Sequence, residues 1–189
     1  MTIIRIFIKD EFLIDNNWVL LNGQTELGSG VGSLAEITAM EYEHLEIYLA
    51  PHLSTIFKVD IEHISDRKIS DELLLGLVED QLVEELDECK PLLMRLSDGQ
   101  AYVAVVMAEF YSQMIAALKE HVKLVKFIQP LPFATEYTDG QWTLYLTNEY
   151  KFIRTSMFEY FLLDDAKPIP DVLDAMLQSS DVKLLKTYS

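Results

Sequence analysis

The order of elements along the chain constrains its fold more than any single motif, because one β-β-β-α-β succession occurs twice. In the first copy residues 3–8, 18–21 and 26–31 read as the strands of a meander, 34–44 as a helix and 46–50 as a returning strand. Asp15-Asn16-Asn17 and Asn22-Gly23-Gln24 supply the turns. Beyond a boundary marked by Pro130 and Pro132, residues 142–146, 151–154 and 158–163 form a second meander, followed by a helix over 171–177 and a strand over 182–185. The two copies span about 3–50 and 142–186, so a duplicated architecture is the economical reading. Only the first copy is continued by further elements, and the chain reads as cut short in the second.

Between the copies lies a strand at 53–60 and a helix predicted over 71–87. Ser70 is placed to cap that helix, Asp71 and Glu72 suit its dipole, and Leu74, Val78, Leu82 and Leu86 give an apolar stripe beside Leu75. Pro91 is expected to stop it. A hairpin follows, with strands at 92–96 and 102–107 about the turn Ser97-Asp98-Gly99. A second amphipathic helix at 109–121 presents Phe110, Met114, Ala117, Leu118 and His121, with a strand at 124–128 behind it. The expected organisation is a first lobe at 1–90, a hairpin-helix-strand subdomain continuing it at 91–130, and a partial second lobe at 131–189.

Half of the 189 residues are hydrophobic, enough for one substantial core or two small joined ones. A net charge of −16 disfavours nucleic acid, whose phosphates attract clustered Lys and Arg, and would repel anionic lipid. No run reaches the roughly 18 apolar residues of a membrane span, and acids appear too early for a signal peptide. The single cysteine, Cys89, excludes an internal disulfide and fits a reducing compartment, the cytoplasm.

The paired units resemble the duplicated ribonuclease H-like core of the actin and Hsp70 ATPase superfamily. The run LLLGLVEDQLVEELDECKPLLMRLSDGQAYVAVVMAEFYSQMIAALKEHVKLVKFIQPLPFA narrows the likeness. Glu79-Asp80-Gln81-Leu82, the Val103–Val106 strand, the helix from Phe110 to His121 and the prolines from Pro130 to Ala134 follow the order of the type II secretion system protein L (GspL) cytoplasmic domain. Trp142, Arg154-Thr155 and Phe158 hold further matching places. The resemblance implies an actin-like α/β fold with mixed sheets and a non-enzymatic adaptor at the cytoplasmic face of the bacterial inner membrane. Such an adaptor binds the N-terminal domain of a GspE-like secretion ATPase and joins it to other inner-membrane platform proteins. The family's membrane helix and periplasmic domain have no counterpart in this chain, in keeping with a piece of a longer protein. A homodimer is an option that no residue pattern singles out. The alternative is a nucleotide-binding relative, either a PilM-like type IV pilus adaptor or a small ATPase.

The residues themselves argue against catalysis. An actin-like ATPase needs an Asp-x-Gly turn after its first strand, where carboxylate meets metal and glycine lets backbone N–H groups reach phosphate. Here that turn is Lys9-Asp10-Glu11-Phe12, and its counterpart is Thr147-Asn148-Glu149-Tyr150; neither contains glycine. Gly28, Gly30 and Gly32 lack phosphate-loop spacing and are expected to bend a strand before Ser33 caps the next helix. Only Asp60-Ile61-Glu62-His63 gathers metal ligands locally, and a solvated strand end explains it as well. Cys89 beside Glu88 is expected to be unreactive, and no serine stands in a nucleophile elbow. No catalytic, cofactor or metal residue is therefore expected.

One candidate partner surface stands out. Six acids and no base lie within residues 79–88, and helical spacing would set Asp80, Glu84, Asp87 and Glu88 opposite the apolar stripe. Like charges at i,i+4 and acids at a helix C-terminus are both unfavourable, which invites a basic partner. A solvated face is the plainer reading of such a run. Phe158, Tyr160 and Phe161 are mixed in phase on a strand of period two, so at least one is expected to point away from the core unless helices cover both faces.

Overall fold

The computed structural model describes residues 1–62, 64, 69–97, 99–147, 149–163 and 184–188. It divides into two compact units, Met1–Pro130 and Leu131–Ser189.

In the first unit β1 (Thr2–Ile8), β2 (Asn16–Asn22) and β3 (Thr25–Gly32) form an antiparallel meander, and α1 (Leu34–Thr38) leads to β4 (His44–Leu49). β4 runs parallel to β1, and β8 (Val125–Pro130) parallel to β4, giving the sheet order β3-β2-β1-β4-β8. Period-two alternation points Ile4, Ile6 and Ile8 to one face, where α1 and α3 (Ala108–Leu118) deliver Leu34, Ile37, Phe110, Met114 and Leu118. Each such side chain contributes roughly 1.5–3 kcal/mol on burial. The opposite face carries Arg5, paired to Glu46 at 2.8 Å, and Phe7 stacked on Tyr48.

The segment between β4 and α3 makes its own three-stranded sheet from β5 (Thr55–Asp60), β7 (Gln100–Met107) and β6 (Cys89–Ser97), in the order β5-β7-β6. α2 (Asp71–Val78) covers it with Leu74 and Val78. Pro91 does not end that helix. It lies within β6 opposite Val105, on an edge strand, where a missing N–H costs no ladder bond.

The second unit repeats the strand plan of the first. β9 (Gln141–Leu146), β10 (Lys151–Arg154) and β11 (Tyr160–Leu162) form the meander, and β12 (Leu184–Tyr188) runs parallel to β9, giving β11-β10-β9-β12. The duplication expected from element order is thus present as matching topology. The helix expected at 171–177 lies outside the described residues. Phe158 stands before β11 rather than in it, and Phe161 is the exposed aromatic of the three.

Three helices are shorter than their apolar patterns. α1 ends at Thr38, whose hydroxyl turns back to the carbonyls of Leu34 and Ala35, and His44 belongs to β4. α3 ends at Leu118 because Lys119 adopts φ 47° and ψ −120°, so His121 falls in a 3-10 turn. A side chain there is strained by about 1–3 kcal/mol, whereas glycine is not. Lys119→Gly is therefore expected to stabilise the protein by about 1 kcal/mol in urea unfolding, after the entropy cost of glycine.

Ser33 caps α1 as its sequence position indicates. Its hydroxyl accepts from Glu36 N at 3.3 Å, while Ser33 N donates to the Glu36 carboxylate at 2.9 Å, a complete capping box. The Ser33 N–H and then the Ser33 hydroxyl, which donates to the same carboxylate at 2.8 Å, hold the Glu36 carboxyl below its ordinary 4.5. A carboxyl lowered on folding stabilises above its unfolded value and loses that contribution as pH falls through the folded one. The stability gap between wild type and Glu36→Gln is accordingly expected at pH 7 and should close below 4.5. Thermal melts across that range measure it.

The glycines before Ser33 have a packing role. Gly30 faces Trp18 across the β2–β3 ladder, and a Cβ there would come within 3.1 Å of the indole; at Gly28 it would sit at 3.7 Å. They make room for a large ring lying on the strand.

Candidate functional site

The β1–β2 turn is closed on itself by a carboxylate. Asp10 turns its carboxylate onto the backbone N–H of Phe12 at 2.9 Å, using a donor that an anion-binding turn would aim outward. Leu13 takes φ 60° without glycine, its side chain in the core and its carbonyl accepting from Leu34 N at 3.0 Å. Phe12 and Ile14 face solvent at 68% and 60% exposure. Asn148, in the corresponding turn of the second unit, lies outside the described residues.

Beside this turn is a cleft of about 570 Å³ lined by Glu11, Phe12, His52, Leu53, Met107, Glu109, Phe110 and Gln113. It opens where β1 and β4 end, next to the 3-10 turn Pro51–Leu53 and the start of α3. The carboxyl ends of parallel strands are where α/β sheets place ligands. Here four apolar side chains stand with Glu11, Glu109, His52 and Gln113 and with neither lysine nor arginine, a composition unsuited to phosphate.

The acidic surface is rearranged relative to its expectation. α2 stops at Val78, so Asp80, Glu84, Asp87 and Glu88 do not share a helix face. Asp80 lies in a 3-10 turn, Glu79–Gln81, and Asp87 and Glu88 in another, Leu86–Glu88; Leu82 and Glu85 between them are extended. The cause is the one that made the helix unfavourable: successive acids repel at i,i+4 by roughly 0.2–0.5 kcal/mol per pair, and no base meets the C-terminal dipole. Gly76 lowers helix propensity further. All four acids are exposed. Three of them still act together on Cys89, a buried thiol at the start of β6 whose pKa is raised first by burial and then by Glu84, Glu88 and Asp87. A raised pKa keeps that thiol protonated at neutral pH.

No group of three or more His, Cys, Asp or Glu able to hold a metal occurs among the described residues. His63, the histidine of the Asp60–His63 run, lies outside them, and Asp60 accepts from Glu62 N at 2.9 Å. No described helix is long and apolar enough to cross a membrane. Sequence reasoning missed the cleft because its lining comes from three separated segments. It also missed Arg154, which is 4% exposed and donates to the carbonyls of Pro132, Thr135, Ser156 and Met157.

Two sheets that share an antiparallel meander flanked by a parallel strand, the first extended by β8, define the class: an actin-like α/β protein with a duplicated ribonuclease H-like core. Among solved structures, the chain is similar over 99% of its length to the cytoplasmic domain of EpsL, an inner membrane component of the type II secretion system of Vibrio cholerae. That match has a TM-score of 0.72 at 16% identity and covers 82% of the EpsL chain. A Bacteroides thetaiotaomicron protein of actin-like ATPase fold and unknown function matches 99% of the chain and 90% of its own at TM-score 0.50 and 10% identity. A chain of the PilM–PilN type IV pilus biogenesis complex matches 79% of this chain and 56% of its own at TM-score 0.51 and 14% identity. No protein-family model and no curated protein sequence matches the chain.

Proposed function

We propose that this chain is a non-enzymatic adaptor at the cytoplasmic face of a type II secretion inner-membrane platform. It binds the N-terminal domain of the secretion ATPase and couples it to the membrane complex. The observation that carries this reading is the fold likeness to the EpsL cytoplasmic domain over 99% of the chain. The glycine-free β1–β2 turn, with Asp10 occupying the Phe12 N–H, supports a role without nucleotide chemistry.

Within this reading the exposed carboxylates of Asp80, Glu84, Asp87 and Glu88 meet a basic patch on the ATPase. Titration calorimetry with a purified ATPase N-terminal domain tests it. Glu84→Lys with Asp87→Lys should weaken the complex by about tenfold or more and flatten its salt dependence, because charge at an interface rim acts through long-range attraction. Unchanged affinity would remove the acidic segment from the interface. Absence of any complex with wild type would remove the adaptor reading itself. The likeness to the PilM–PilN chain favours a second reading, a nucleotide-binding pilus adaptor. A melting shift with millimolar magnesium-ATP would support that instead.

A further inference from the structure

The cleft at the ends of β1 and β4 has the size of a binding site and the wrong chemistry for a nucleotide. At about 570 Å³ it falls within the range typical of ligand pockets. Phe12, Leu53, Met107 and Phe110 supply its apolar surface, and Glu11 and Glu109 its charge; neither lysine nor arginine lines it. Two of the apolar side chains are exposed well beyond what packing requires, Phe12 at 68% and Met107 at 43%, and Ile14 extends the patch along the turn at 60%.

We propose that this cleft is a docking groove for a segment of a partner protein that places an aromatic or aliphatic anchor beside lysine or arginine. The anchor covers Phe12 and Met107, and the cation answers Glu11 and Glu109. Charge selects this occupant over the alternatives. A second copy of the chain would bring another net charge of −16 to an acid-edged groove. A nucleotide would set its phosphates against two carboxylates with neither lysine nor arginine to receive them, His52 being the one basic side chain in the lining. The groove's lining holds none of the acids at 79–88, and the two surfaces adjoin through a smaller cavity of about 170 Å³ that His52, Leu53 and Met107 line and Gln81–Glu84 border. The inference stands whether or not the partner is a secretion ATPase.

Selection of short random peptides displayed on phage against the intact protein tests it, followed by fluorescence-polarisation titration of the enriched peptides. Enriched sequences should pair an apolar anchor with a nearby Lys or Arg. Their affinity should fall by about tenfold or more in Phe12→Ser with Met107→Ser, as expected for truncating anchor contacts. Glu11→Gln with Glu109→Gln should weaken them less and reduce their salt dependence. All four positions are exposed, so melting temperatures should stay near wild type and report that the variants are folded. Enriched peptides without basic residues, affinities unchanged in both double variants, or no enrichment at all would overturn the proposal. Displacement of the peptides by magnesium-ATP would overturn it in favour of a nucleotide site. Loss of ATPase-domain binding with peptide binding intact would strike the adaptor reading alone.

Discussion

Arg154→Met is expected to destabilise the second unit by about 3 kcal/mol or more. The guanidinium is buried, and its three nitrogens donate to four backbone carbonyls: Thr135 at 2.5 Å, Met157 at 2.7 Å, Ser156 at 3.2 Å and Pro132 at 3.3 Å. It also lies over the rings of Phe133 and Tyr137, at 5.7 and 5.1 Å from their centroids. Burial draws its pKa below the usual arginine value, yet arginine remains cationic at neutral pH. Methionine would fill much of the volume and leave those carbonyls without their charged donor. Arg154→Lys keeps the charge but replaces a planar fork with a single ammonium, so an intermediate loss is expected. The two tryptophans allow the effect to be localised: Trp142 belongs to the second unit and Trp18 to the first. Urea unfolding read through Trp142, with Trp18 replaced by Phe, should shift to lower denaturant in Arg154→Met. The transition read through Trp18, with Trp142 replaced by Phe, tests whether the loss is confined to the second unit. An unshifted Trp142 transition would mean that the arginine contributes no net stability.

The sequence made the strands legible and left the helix ends obscure, for a physical reason in each case. Ile4, Ile6 and Ile8 alternate with Arg5 and Phe7, so period two identifies β1 and its buried face without knowledge of its neighbours. Apolar spacing at fours through Leu74, Val78, Leu82 and Leu86 marks residues that pack on one side, and Leu82 and Leu86 are indeed partly buried. Packing on one side does not require a continuous helix. Two 3-10 turns joined by extended residues place Leu82 against the same core while separating the acids that a helix would crowd. Lys119 gave no warning, because a positive φ at lysine is imposed by the chain reversal after α3 and carries no compositional signal. The glycine-free turn at Asp10 is a local feature readable in the sequence, whereas the cleft was not, since Phe12, Leu53 and Phe110 meet only after the sheet has formed. For Arg154 a signal did exist: an arginine closing Phe152-Ile153, in a chain with Phe133 and Tyr137 upstream, is the composition of a buried cation with aromatic neighbours.

Met114→Ala is expected to cost about 2–5 kcal/mol, by lost transfer energy and by the cavity left where neighbours cannot close. Met114 is fully buried at the middle of α3, with Phe110 one turn before and Leu118 one turn after, in the cluster that Leu34 and Ile37 of α1 complete. Met114→Leu preserves volume and should cost less than about 1.5 kcal/mol. The pair also separates packing from recognition. Glu109 and Phe110 reach the cleft from the first turn of the same helix, so any variant that loosens α3 should disturb peptide capture indirectly. Met114→Leu touches no cleft residue's chemistry and should leave peptide affinity at its wild-type value, while Met114→Ala should lose affinity in step with helix stability across temperature. An equal loss in both variants, at temperatures where both are fully folded by the Trp18 signal, would mean that the sulfur-bearing side chain itself shapes the groove and that the recognition surface reaches deeper than Phe12 and Met107.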